Sequence, residues 1–203
     1  MKNDSADIGT WLERGFDLYR TNLEMLVPAC AIAVVLGACT LGVLSGPMLA
    51  GLLAITLGLY DRNAIKPKPG DIFTGFDRFV PAFLFLLAWV MIPLGVLMWV
   101  PRIGWLLCLA WTFLVMPLGS FGLFLILERG MDFWTASVES IETARRRYMT
   151  VAAVHAVAAI LGSLGFVACG IGVVITMPLY CCVMAVSYRD VFREPAAPFP
   201  ADA

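Results

Sequence analysis

Charge is scarce in this sequence: 14% of its residues are Asp, Glu, Lys or Arg, where a soluble domain carries about a quarter. With 61% of its 203 residues hydrophobic and a mean hydropathy of +0.86, it has too few polar groups to cover a surface that faces only water. Basic residues are not in excess either, and a net charge of −1 excludes the positive footprint that nucleic-acid binding requires. Histidine is nearly absent, His155 being the only one. The six cysteines (Cys30, Cys39, Cys108, Cys169, Cys181 and Cys182) form no C-x-x-C pair and no zinc spacing. With no acid placed near the lone histidine, no nucleophile–base set can be assembled. The chain therefore reads as a non-enzyme, with no catalytic, cofactor or metal site expected. The first 24 residues are polar and charged, so no cleavable signal peptide is expected.

What fills the sequence instead is three long apolar blocks. Met25 to Tyr60 carries no charge, Phe79 to Leu127 carries only Arg102, and Tyr148 to Tyr188 carries only His155. A spanning helix needs about 20 apolar residues, so each block has room for two spans and a turn. Glycine and proline punctuate each block near its middle, at Ser45-Gly46-Pro47, Pro101-Arg102 and Cys169-Gly170-Ile171-Gly172. The third of these is no nucleotide loop, because apolar spans flank it and no strand precedes it. The pattern predicts an all-α, polytopic integral membrane protein with six transmembrane helices as three hairpins. The spans run over 26–44, 47–65, 81–100, 103–127, 149–168 and 172–188. Only thirteen residues lie between Pro47 and Asp61, so a re-entrant first hairpin fits the pattern as well.

Topology follows from the basic residues. They fall in the N-terminal arm (Lys2, Arg14, Arg20), after span two (Arg62, Lys66, Lys68, Arg78), after span four (Arg129, Arg145, Arg146, Arg147) and in the tail (Arg189, Arg193). The hairpin turns hold only Arg102. The positive-inside rule puts both termini in the cytoplasm, as expected of a multi-pass protein of a bacterial inner membrane. Trp99 and Trp105 flank the second turn, where an outer aromatic belt belongs.

Each hairpin is preceded by an amphipathic stretch, expected to lie in the inner interface as a helix. The first, over 8–23, sets Ile8, Trp11, Leu12, Gly15, Phe16, Tyr19 and Leu23 on one face. The second, over 71–79, begins at Asp71 as N-cap, with Ile72, Phe73, Phe76 and Phe79 apolar. The third, over 132–147, puts Trp134, Val138, Ile141 and Tyr148 on one side. Gly15-Phe16-Asp17 recurs as Gly75-Phe76-Asp77, which predicts a threefold repeat of interfacial helix plus hairpin. Residues 1–192 form one transmembrane domain in this reading, and the Pro/Ala-rich 193–203 a disordered tail.

A few residues invite a chemical reading. His155 is a candidate polar intramembrane site, as a proton relay, a metal ligand or a hydrogen-bonded packing residue. Arg145, Arg146 and Arg147, with Lys66 and Lys68, either bind anionic lipid headgroups or serve only to fix topology. Adjacent Cys181 and Cys182 read as helix packing more readily than as a redox pair. Cys169 sits at an expected outer turn, open to an oxidising compartment. Small residues at four-residue spacing, Ala29, Ala33 and Gly37 and then Gly46, Ala50, Ala54 and Gly58, favour packing within the first hairpin over a dimer interface. Pro28, Pro93, Pro117 and Pro178 are expected to interrupt spans.

Three passages carry a likeness. They are Ser45-Gly46-Pro47-Met48-Leu49-Ala50-Gly51, then Phe133-Trp134-Thr135-Ala136-Ser137-Val138-Glu139-Ser140, and the ending Gly170-Ile171-Gly172, Thr176-Met177-Pro178 and Ser187-Tyr188-Arg189-Asp190. On these the chain resembles an uncharacterised group of small bacterial six-span membrane proteins, similar to the membrane region fused to some glycerophosphodiester phosphodiesterases. The resemblance covers nearly the whole chain and implies the fold and a bacterial inner membrane. It transfers no catalytic residues, because the acidic and histidine metal ligands of the phosphodiesterase domain have no counterpart here. The expected function is that of a non-enzymatic membrane component packing with itself or another membrane protein. The alternative is a small transporter or lipid-handling protein with an apolar cavity between hairpins. Membrane lipids, a second copy or a membrane protein are the partners in view, and nucleic acid is not.

Overall fold

The computed structural model describes residues 4–61, 67–167 and 172–192. Its secondary structure is entirely helical among the described residues. The elements are α1 (Asp4–Thr21), α2 (Leu23–Cys39), α3 (Ser45–Tyr60), a 3₁₀ helix (Pro69–Arg78), α4 (Phe79–Leu86), α5 (Ile92–Met98), α6 (Gly104–Ala110), α7 (Met116–Gly119), α8 (Gly122–Arg129), α9 (Phe133–Arg146), α10 (Tyr148–Val167) and α11 (Val173–Val191). Short π-helical turns, Leu87–Met91 and Trp111–Val115, join α4 to α5 and α6 to α7.

Four stretches are long and apolar enough to cross a bilayer: Pro69–Met98, Gly104–Arg129, Tyr148–Gly165 and Val173–Val191. A fifth arises if Ile8–Thr21 and Leu23–Cys39, bent by 88°, count as one broken span. The chain is thus an all-helical protein with apolar helices of membrane-crossing length, compatible with a multi-pass membrane protein. At 16 residues α3 falls short of that length.

The first turn lies earlier than the Ser45-Gly46-Pro47 that composition suggests. Those residues open α3, where the N–H that proline lacks has no helical partner to lose. Thr40 to Leu44 make the turn instead. Gly42 takes φ +90° there, and the Thr40 hydroxyl accepts from the Leu44 N–H at 3.1 Å. The second turn falls at Pro101-Arg102 as expected, with Arg102 left-handed at φ 68°. Cys169, the third turn and the 193–203 tail lie outside the described residues.

Both expected proline breaks in the middle hairpin are realised as π turns. The Ile92 N–H bonds the Leu87 carbonyl and the Met116 N–H bonds the Trp111 carbonyl, each one residue farther back than in an α-helix. Pro93 has no N–H to offer the Trp89 carbonyl. The Trp111 indole supplies that bond at 3.0 Å. Pro28 and Pro178, by contrast, lie inside α2 and α11 without interrupting them.

Helices form over the three stretches that precede the apolar blocks, but each packs mainly on helices that close another block, not on the block it precedes. The 3₁₀ helix lies on α3, α9 on α7 and α8, and α1 on α11. The first element thus docks on the last helix. Gly15 and Gly75 hold equivalent places in these contacts. A Cβ on Gly15 would stand 2.7 Å from the Val183 Cα, and one on Gly75 would stand 2.6 Å from the Gly51 nitrogen and against the Pro47 carbonyl. Small residues earn these places because helices in lipid associate by close backbone approach and hydrogen bonds.

Two faces differ from the sequence reading. Residues 69–78 form a 3₁₀ helix, in which side chains three apart eclipse. Ile72 and Gly75 make one buried row, while Phe73, Phe76 and Phe79 make another with ring centroids 6.1 and 5.9 Å apart. In α9 the inward face is Ala136, Ser137, Ser140 and Ala144, while Trp134 and Val138 point outward. Ser140 donates to the Leu118 carbonyl at 2.7 Å and Ser137 accepts from the Trp89 indole at 3.0 Å. In α1, Trp11, Gly15 and Tyr19 are buried and Phe16 is half-exposed.

The small-residue stripes are consumed inside the chain. Ala29, Ala33 and Gly37 are buried, with Gly37 set against Ser45. Gly46 faces the backbone of Ala82 and Phe83 in α4. α3 is the best-buried helix of the first hairpin, at the junction of α2, α4, α8, α11 and the 3₁₀ helix. By contrast α5 and α6 pack on each other and on the adjoining π turns, and form an apolar finger. Trp99 near its tip is 88% exposed.

Candidate functional site

The densest polar arrangement sits where three return helices end. Asp61 follows α3, Glu128 closes α8 and Arg189 closes α11. Each is the first charge after its apolar block. The Arg189 Nε donates to Asp61 Oδ1 at 2.9 Å, and its Nη2 reaches both Asp61 Oδ2 and Glu128 Oε1. The second Glu128 oxygen accepts from the Tyr188 hydroxyl at 2.8 Å. An arginine fork suits this task because its planar donors satisfy two carboxylates at once.

Neighbouring groups extend the network. The Trp11 indole donates to Asp190 at 3.2 Å, tying α1 to the end of α11. Arg129 pairs with Glu139 on α9 and stands 5.5 Å over the Phe192 ring. Tyr188 stacks on Phe124 at 4.8 Å and 13°. A depression of about 240 Å³ opens here, lined by Tyr60, Asp61, Glu128, Arg129, Tyr188, Arg189, Asp190 and Phe192. Arg129 and Arg189 both hold carboxylates. The cluster is a clamp joining the ends of α3, α8 and α11.

His155 belongs to a different place. It is buried on α10, where Nδ1 meets the Tyr180 hydroxyl of α11 at 3.3 Å. The histidine thus ties α10 to α11. Beside it lies an interior cavity of about 70 Å³ among Leu49, Leu53, Phe85, Trp89, Leu123, Phe124, Tyr180 and Met184.

The basic residues marked in the sequence do not all meet. Arg145 and Arg146 are exposed in the last turn of α9, and Arg147 caps that helix half-buried. Lys68 is exposed at the start of the 3₁₀ helix, its N–H bonded to Asp71 at 2.7 Å, and Lys66 lies outside the described residues. Glu139 is ion-paired with Arg129. Cys30, Cys181 and Cys182 are buried free thiols. Among the described residues no group of three His, Cys, Asp or Glu is placed to hold a metal ion.

Outside the core, the Asp132 carboxylate caps α9. It accepts from the Thr135 hydroxyl at 2.6 Å and from the backbone N–H groups of Thr135 and Trp134. These bonds, the Thr135 hydroxyl foremost, hold its carboxyl below the usual carboxylate range.

The sequence matches no protein-family model, no curated protein and no solved structure.

Proposed function

We propose that this chain is a non-enzymatic component of a bacterial inner membrane, with both termini cytoplasmic, that packs with itself or with another membrane protein. The observation that carries this reading is the α5–α6 finger. Val96, Met98 and Trp105 on it are exposed, as Trp99 is, and Gly95 has open space around it. A notch beside projecting apolar side chains is the surface through which helices in lipid approach one another. The likeness to small bacterial six-span proteins and to the membrane region fused to some glycerophosphodiester phosphodiesterases belongs to the same proposal.

Within it, the first hairpin is re-entrant. At 16 residues α3 rises about 24 Å and falls short of a spanning helix. The hydrocarbon core is about 30 Å thick. With Asp61 on the inner side, as the basic residues require, α2 and α3 dip into the bilayer and return. α3 is covered by protein on most sides, which re-entrant backbone demands. Four other apolar stretches then cross, and both ends stay inside.

The lipid-handling alternative calls for an apolar cavity between hairpins. The cavity at His155, about 70 Å³, and an apolar recess of about 220 Å³ between α2, α3 and Met177 of α11 are of that kind, and both lie below the roughly 300–1,000 Å³ of ligand pockets. The packing reading is therefore preferred. Mass measurement of the full chain in mild detergent tests it. An assembly heavier than the 22.1 kDa chain is expected, self-associated or with a co-purifying membrane protein. A lone monomer with nothing bound overturns it.

A further inference from the structure

α9 presents its large side chains away from the protein. Its inward face of small residues is complete, with Ser137 and Ser140 hydrogen-bonded into the middle hairpin. Trp134 is 68% exposed and Val138 lies four residues along the same face, followed by Ile141 and then Arg145. Met149, in the first turn of α10, is 80% exposed. Large apolar side chains that look outward beside arginines mark a helix lying in a bilayer interface.

Charge separates this element from its two counterparts. On α1 the exposed Glu13 and Asp17 balance Arg14 and Arg20. On the 3₁₀ helix Asp71 and Asp77 balance Lys68 and Arg78. At the C-terminal end of α9, Arg145 and Arg146 face one exposed acid, Glu142, while Glu139 is neutralised by Arg129.

We propose that the outward face of α9 docks on the anionic headgroups of the inner leaflet. Trp134, Val138 and Ile141 enter the acyl boundary, and Arg145 and Arg146 take the lipid phosphates. This rests on the membrane reading above and adds the lipid class that one element selects. Each basic residue near an anionic surface strengthens binding about fivefold, so the pair contributes roughly 25-fold.

The full chain in neutral detergent, melted during titration with short-chain phosphatidylglycerol or phosphatidylcholine, tests the proposal. Phosphatidylglycerol is expected to raise the midpoint more than phosphatidylcholine does. R145Q/R146Q is expected to need roughly 25-fold more phosphatidylglycerol for the same rise, and R14Q/R20Q on α1 to behave as wild type. If the double variant does not fold, R145Q alone is expected to need about fivefold more, and R145K/R146K to keep the response. Equal effects of the two lipids, an unchanged response in R145Q/R146Q, or a matching rise with inorganic phosphate would each overturn it. Carbonate-resistant retention of R145Q/R146Q in membranes reports on the membrane reading separately.

Discussion

Replacing Arg189 by glutamine removes the one cation that joins the ends of α3, α8 and α11. Three hydrogen bonds disappear, two to Asp61 and one to Glu128, and both carboxylates are left facing each other. A charged hydrogen bond contributes about 1.5–3 kcal/mol when buried. Here the three side chains keep 27–32% of their exposure, so water recovers part of the loss. A net destabilisation of about 2–3 kcal/mol follows, which in a chain of this length lowers the melting midpoint by roughly 5–10 °C. R189K keeps the charge but not the fork, and is expected to recover about half. The assay is thermal unfolding of the purified chain in mild detergent, with D61N and the D61N/R189Q double variant completing a cycle. Coupling of about 1 kcal/mol is expected between residues in direct contact. A midpoint of R189Q within 1–2 °C of wild type, or simple additivity in the cycle, would refute the clamp.

Two further outcomes follow from local geometry. G75V drives a branched side chain into the Pro47 carbonyl and the Gly51 nitrogen, both backbone and unable to yield. It should cost at least about 3 kcal/mol, or prevent folding, whereas G70A, with open space around it, should be nearly silent in the same melt. Asp132 has a depressed folded-state pKa, so its capping bonds contribute fully above its unfolded value, about 3.9. That contribution is lost as pH falls through the lower folded value. D132N should therefore flatten the fall of the melting midpoint below about pH 4 and leave the curve above pH 6 parallel to wild type.

Much of this architecture was legible because lipid imposes a simple demand, a long run without charge. The apolar blocks ending at Tyr60, Leu127 and Tyr188 became helices that end within three residues of those positions, and Pro93 and Pro117 marked real interruptions. The inward faces of the amphipathic elements were not legible. Apolar periodicity identifies a buried face only when the other side meets water. In α9 Trp134 and Val138 go out and Ala136 and Ser140 go in. The spacing of Phe73, Phe76 and Phe79 by threes was the available sign of a 3₁₀ helix. A sign of the clamp was present too, in the opposite-charge pairs Asp61-Arg62, Glu128-Arg129 and Arg189-Asp190 that end the three blocks. Which of them meet depends on helix contacts that no local pattern encodes. His155 was visible as a polar residue in an apolar run. Its partner was not, because Tyr180 lies 25 residues on, in another helix.

The path of the first hairpin is decided by labelling single cysteines in intact cells, in a background cleared of the native ones, with a membrane-impermeant thiol reagent. Leu41, 94% exposed at the tip of that hairpin, should stay unlabelled as cysteine, while a cysteine at Arg102 in the second turn should react and one at the exposed Lys68 should react only after the cells are opened. Reaction of the residue 41 cysteine from outside would mean that α2 and α3 cross fully, contradicting the re-entrant path.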